Sequence, residues 1–224
     1  DALIAGEIDV YVEYTGTALL AILRGKPLKD PGEVYRHVKE EYARRFNLEW
    51  AAPLGFNNTF AILVRRADAE KFNLKTMSDL AGLAPRWRAG FGQDFMSRPD
   101  GYPGFSKTYG LRFADIREMD LSLTYRALAE GQVDVIAGNS TDGLISRYRL
   151  YQLRDDRSYF PPYDAVPVAR QALLENAAVS EALQGLGGIL SVEEMRKLNF
   201  SVDGEKLRPY DVAREFLMQK GVVK

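Results

Sequence analysis

GEIDVYVEYTGT, residues 6–17, decides how this chain reads. Ile8, Val10, Val12 and Tyr14 alternate with Asp9, Tyr11 and Glu13, the period of two that places a segment in a buried strand. Thr15-Gly16-Thr17 ends the strand in a polar turn, and TALLAILRG continues as a helix closed by Gly25. The same unit returns as GQVDVIAGNSTDG, residues 131–143. Each copy follows an Ala/Leu-rich helix end, ALIAG before one strand and ALAEG before the other. At a constant offset Ile8 meets Val133, Asp9 meets Asp134, Tyr14 meets Asn139, Thr15 meets Ser140 and Thr17 meets Asp142. Two copies so far apart suggest two similar lobes rather than a short-period solenoid. Helix–glycine–strand units are also common in α/β proteins, so the repeat alone leaves both readings open. In open α/β sheets ligands bind beyond the carboxyl ends of the strands. Tyr14–Thr17 and Asn139–Asp142 fall there, each opening a helix whose free N–H groups attract electron-rich groups. Asp142 is expected to cap its helix, and Asp9 and Asp134 to act as structural anchors rather than as an acid/base pair.

Outward from these copies, strands and helices alternate, which places the chain in the α/β class. Asp30-Pro31-x-Glu33 begins a helix with the apolar stripe Val34, Val38, Tyr42 and Phe46. GFNNT is a turn before the strand FAILV. Thr76-x-x-Asp79 and Ser191-x-x-Glu194 are capping signals. RAGFGQDFMSRPDGYPGF has the Gly, Pro, Asp and aromatic content of a ligand-facing loop between a strand and a helix. FPPYDAVPVAR is extended and stiffened by Pro161, Pro162 and Pro167. The tail helix runs from Pro209 to Gly221.

Composition excludes several classes. With 46% hydrophobic and 27% charged residues the 224-residue chain is globular in type. Thirty Lys and Arg against 31 Asp and Glu leave no basic excess for nucleic acid. Cysteine is absent, which removes disulfides, thiolate metal sites and a thiol nucleophile. No apolar run approaches the roughly 20 residues of a membrane span. His37, the one histidine, sits mid-helix among charges and supports no Ser-His-Asp set. No Walker loop, GxGxxG or HExxH occurs. No catalytic residue, metal ligand or cofactor site is therefore expected.

ALIAGEIDVYVEYTGTAL, PLGFNNTFAILVR, FMSRPDGYPG, STDG and YFPPYDAVPVAR, in this order, resemble the substrate-binding proteins of ABC importers for glycine betaine, choline and related quaternary amines. The resemblance spans essentially the whole chain. It implies a bilobal clamshell of the type II periplasmic-binding-protein class with two crossover segments, near GFNNTF and PPYDAVPVAR. Lobe one would then be residues 1–58 plus 166–224 and lobe two residues 59–165. It implies a small quaternary amine or zwitterion held in the interlobe cleft, a permease and its ATPase as partners, and a periplasmic or extracellular, membrane-attached location. Members of the family begin with a further strand–helix–strand portion before the ALxxGEID motif. The expectation is therefore a lobe one that lacks its opening portion, exposes apolar surface and sheet edge, and recovers contacts by swapping into a homodimer.

The resemblance also assigns a site. A quaternary ammonium donates no hydrogen bond and is held by aromatic faces at roughly 0.5–2 kcal/mol per ring. Tyr14 and Tyr163 match two tyrosine walls. Phe60 stands where tyrosine is common and keeps the ring without the hydroxyl. Asn139 falls where a further tyrosine is expected, so that wall becomes an amide. Thr17 and Arg98 match positions that serve a ligand carboxylate. Tyr14 and Phe60 also suit plain core, and Arg98 also suits a loop-holding pair with Asp94 or Asp100. The altered cage keeps a different zwitterion, such as ergothioneine, as an alternative. A ligand-sensing domain of a receptor or regulator is another.

Overall fold

The computed structural model describes residues 1–223. Among them the strands are β1 (Val10–Tyr14), β2 (Leu48–Trp50), β3 (Phe60–Arg65), β4 (Arg88–Phe91), β5 (Asp115–Glu118), β6 (Val135–Asn139), β7 (Leu150–Gln152) and β8 (Ala165–Arg170). The chain divides into two compact units. The first holds residues 1–59, 161–198 and the chain from Leu207 onward; the second holds residues 60–160 and 199–206.

In the first unit β8 lies between β1 and β2, antiparallel to both. The helix Pro31–Phe46 starts where Asp30 accepts the Glu33 N–H at 2.8 Å and stops at Asn47, whose φ is 57°. Its stripe packs as the spacing predicts: Val34, Val38 and Tyr42 are buried with Trp50, Val166 and Val168. Tyr42 meets Phe46 and Trp50 edge-on, with centroids 5.2 and 5.1 Å apart. Pro167 sits in the central strand although it cannot donate to a ladder. Its carbonyl still accepts the Ala51 N–H at 2.9 Å, just past the end of β2.

β1 departs from the sequence reading in the face it buries, although an exposed sheet edge was expected of this lobe. It is an edge strand. Its apolar face is the open one, with Ile8, Val10 and Val12 exposed to 41%, 41% and 47%. The buried face carries Glu13 at 8% exposure. This carboxylate is satisfied by the Tyr11 hydroxyl at 3.0 Å and the Tyr14 N–H at 2.7 Å. Alternation fixed which residues share a face; it could not say which face is covered. The following segment is helical over Thr15–Thr17 and continues as a π-turn over Ala18–Ile22. The residue with positive φ is Arg24, not Gly25. At Gly25 a Cβ would lie 2.7 Å from the tip of the Leu19 side chain, a contact that the leucine can relieve by turning.

The second unit has a five-stranded sheet in the order β5-β4-β6-β3-β7. β4 runs parallel to β5 and β6, and β3 runs antiparallel to β6 and β7. One face of this sheet packs on an aromatic core that includes Phe91, Phe95 and Phe105. The glycine-rich stretch after β4 is more ordered than a loop. It forms the helices Gln93–Ser97 and Tyr102–Tyr109, the second having Pro103 in its first turn and ending at Gly110 with φ 68°. Their buried rings Phe95, Phe105 and Tyr109 explain why the stretch folds down. The Thr76–Asp79 capping box is present, but it caps a 3-10 segment, Met77–Gly82.

The repeated acids have parallel partners. Asp134 binds Arg65 at 2.9 Å and Arg88 at 3.0 Å, and Asp9 pairs with Arg170. Burial works against ionising Asp134, yet the arginine hydrogen bonds prevail and hold its carboxyl below the usual carboxylate range.

Candidate functional site

Three of the six candidate residues lie in the first unit, at one end of its sheet. Tyr14 is the last residue of β1 and opposes Ala165, the first residue of β8. Thr17 follows in the short helix Thr15–Thr17. Tyr163 stands two residues before β8. The turn locks these segments together: the Thr15 N–H donates to the Asp164 carbonyl at 3.0 Å. The Thr15 hydroxyl donates to the Pro162 carbonyl at 3.2 Å and accepts the Asp164 N–H at 3.0 Å. Gly16 is required by close approach, since a Cβ there would lie 2.6 Å from both the Pro162 oxygen and the Tyr163 ring. Tyr163 is 3% exposed. Tyr14 is half-buried and packs beside a small cluster formed by Leu54, Phe56 and Ala165. Burial pushes the Asp164 carboxyl up, against a hydrogen bond with Asn57.

The other three lie in the second unit, again at one sheet end. Phe60, the first residue of β3, directly opposes Asn139, the last residue of β6. The Arg98 guanidinium lies 5.4 Å from the Phe60 ring centroid. It also pairs with Asp100 through two hydrogen bonds at 2.9 and 2.7 Å, the loop-holding contact considered for it. Phe60 further meets Phe95 and Phe160 at 5.1 and 5.7 Å, so one side of its ring belongs to the core.

A cavity of about 310 Å³ opens at this end of the sheet. It is lined by Phe60, by Gln93 and Asp94 beyond β4, by Asp120 beyond β5, and by Gly138 and Asn139 of β6. Its size lies at the lower end of small-molecule pockets, ~300–1,000 Å³. Gln93 and Asp120 were not singled out from the sequence, and Asp94 was named only as a partner for Arg98. The signal was available: each follows the carboxyl end of a strand in the parallel part of the sheet.

Asp142 does not cap the helix Gly143–Arg147 that follows it. Its carboxylate turns back instead, accepting the Asn139 N–H at 2.8 Å and the Tyr125 hydroxyl. An acid at a helix start has two nearby donors to choose from, and here the strand end wins. The outcome is a fixed turn that presents Asn139.

The family model for the substrate binding domain of ABC-type glycine betaine transport systems matches residues 1–219. The carnitine transport binding protein OpuCC of Listeria monocytogenes is 39% identical over 221 residues, covering 97% of this chain and 72% of that protein. The ergothioneine transport permease/ergothioneine binding protein EgtU of Helicobacter pylori is 34% identical over 222 residues, covering 99% of this chain and 40% of that longer protein. A solved structure of a glycine betaine/carnitine/choline ABC transporter protein superposes with a TM-score of 0.88 at 38% identity, covering 99% of this chain and 82% of that one. These relatives are substrate-binding transport proteins rather than enzymes, and the fold they share is that of the type II periplasmic binding proteins. The chain belongs to the family of substrate-binding domains of ABC-type glycine betaine transport systems.

Proposed function

We propose that this chain captures a quaternary amine or related zwitterion, such as glycine betaine, choline or carnitine, outside the cytoplasm and delivers it to an ABC permease driven by a separate ATPase. Tyr14 and Tyr163 of the first unit and Phe60 of the second supply aromatic faces for the ammonium. Thr17 and Arg98 serve the carboxylate, and Asn139 replaces a further ring. The two compact units serve as the two ligand-binding lobes, which moves residues 59 and 161–165 to lobe one and residues 199–206 to lobe two relative to the division the resemblance implied. The observation that carries the reading is the grouping of the candidates. Tyr14 is joined through the Thr15 hydrogen bonds to the Tyr163 segment, and Phe60 opposes Asn139. Chain segments far apart in sequence thus supply adjoining residues. The protein holds its ligand without transforming it.

A thermal-shift series with choline, glycine betaine, carnitine, ergothioneine and proline tests this, because a ligand that binds only the folded state raises Tm by mass action. At least one quaternary amine is expected to raise Tm, and the absence of a shift with every one of them would refute the reading. Tyr14→Ala should weaken binding roughly 2- to 30-fold, the scale of one cation–π face. Tyr163→Ala is a poorer probe, because removing a ring that is 3% exposed also costs packing. Unchanged affinity in Tyr14→Ala would remove that residue from the cage.

A second reading, a polar zwitterion such as ergothioneine, is favoured by one observation. Where the cage reading expects a ring, an amide lines the second unit's cavity. We also propose that the open edge of β1 lets two copies associate, with exchange of segments.

A further inference from the structure

We infer that the cavity of the second unit reads a hydrogen-bond donor on the ligand, and that Asn139 is the residue that sets this preference. The inference rests on the quaternary-amine reading and narrows it to ligands with an O–H or N–H group besides the ammonium.

Three features support it. Asn139 is held by its backbone. Its N–H is bound to Asp142 at 2.8 Å, and the same carboxylate oxygen takes the Tyr125 hydroxyl. The strand is tightly packed one residue earlier, where a Cβ on Gly138 would lie 2.0 Å from the Tyr125 hydroxyl oxygen. The turn is thus fixed, while the Asn139 side chain makes no hydrogen bond within its own unit and lines the cavity.

Second, the polar lining is rich in acceptors. Asp94, Asp120 and the amide oxygens of Gln93 and Asn139 contribute, and no basic side chain lines the space. Asp120 is kept charged: the hydroxyl and N–H of Ser122 bind it at 2.6 and 2.8 Å and hold its carboxyl below the usual range. Such a lining receives the cationic end of the ligand or a neutral donor, and the carboxylate is left to Thr17 and Arg98, neither of which lines this space.

Third, the apolar portion is one-sided. Phe60 offers a ring, but Asn139 directly opposite it offers an amide. A trimethylammonium group has no donor for the oxygen of that amide, so the cationic end of a bare betaine leaves this acceptor unused. A hydroxyl or ring N–H placed beside the ammonium would engage it. A site built around a hydrogen bond also discriminates against an analogue that lacks the donor.

L-carnitine and γ-butyrobetaine differ by a single hydroxyl and form the matched pair for the test. Isothermal titration of the unaltered chain is expected to show L-carnitine binding about five- to tenfold more tightly, the scale of one net hydrogen bond. In Asn139→Leu the ratio should fall to about one through loss of L-carnitine affinity. In Asn139→Tyr γ-butyrobetaine should gain. Equal affinities in the unaltered chain, a measurement that needs no variant, would overturn the inference alone if glycine betaine still binds. A ratio that survives Asn139→Leu would also overturn it. Failure of every quaternary amine to bind overturns the underlying reading and this inference with it.

Discussion

Gly16 is the residue on which the turn after β1 depends. Its Cα faces the Pro162 carbonyl and the Tyr163 ring so closely that any side chain would push both away. Gly16→Ala should therefore destabilise the protein by about 1–3 kcal/mol, the cost of forcing one extra carbon into a packed site. It should also weaken ligand binding more than Tyr14→Ala does, because it displaces Tyr163 as well. Urea unfolding read beside titration calorimetry checks both, and full stability in the alanine variant would show that the approach relaxes freely. The six candidate positions came from the motifs of the family resemblance, and each falls at or near a strand end or a turn. The state of each side chain was only partly readable. The Arg98–Asp100 pair is local, two residues apart, and was among the contacts the sequence offered, whereas the burial of Tyr163 depends on neighbours such as Gly16 that are remote in sequence.

At the scale of elements, the repeated strands are each preceded by an aspartate tied to arginine. For Asp134 the bonds come from the first residue of β4 and the last of β3, so one carboxylate joins three strands. Its folded pKa lies below the ordinary value of about 3.9. The sign follows: the contribution is fully present above that ordinary value and is lost as pH falls through the lower, folded one. Asp134→Asn should lower stability at pH 7 by roughly 1–3 kcal/mol, the scale for unmaking charged hydrogen bonds, and should flatten the fall in stability below about pH 4. Melting curves from pH 7 to pH 2 provide the measurement; an unchanged acid limb would place the acid sensitivity elsewhere. Element types were largely readable, since capping residues and periodicity act locally. The helix Pro31–Phe46 and strands β3 and β6 fall where pattern put them. The two helices after β4 did not, because glycine and proline there argue for a loop while burial of Phe95, Phe105 and Tyr109 overrides that preference.

For the whole molecule, the decisive contrast is between its sheets. The second unit's five strands bury β4, β6 and β3 in the interior of the sheet, whereas the first unit has three strands and leaves β1 at the rim. Ile4, Ile8, Val10, Val12 and Ile22 are all at least 41% exposed in this region. They are the kind of surface that invites another strand. Size-exclusion chromatography with light scattering is expected to find a dimer, and a clean monomer across micromolar concentrations would remove the association proposal. Exposed apolar surface and sheet edge were expected of lobe one from the resemblance, but neither which strand lies open nor the inversion of its faces was legible in residues 6–17. Both depend on what packs against the strand, which its alternation does not encode.

The ladder register gives that rim an internal clock. Pro167 turns its carbonyl to Ala51 beyond β2 and so forms an unbonded pair with Val12, while the Arg170 N–H reaches the Asp9 carbonyl and the Thr15 N–H reaches that of Asp164. The amides of Tyr11 and Glu13 accordingly turn inward to β8, and those of Val10 and Val12 turn outward. Deuterium labelling should then alternate along this one strand, slow at 11 and 13 and fast at 10 and 12. Slowing of the fast pair as concentration rises would report a second backbone settling beside it.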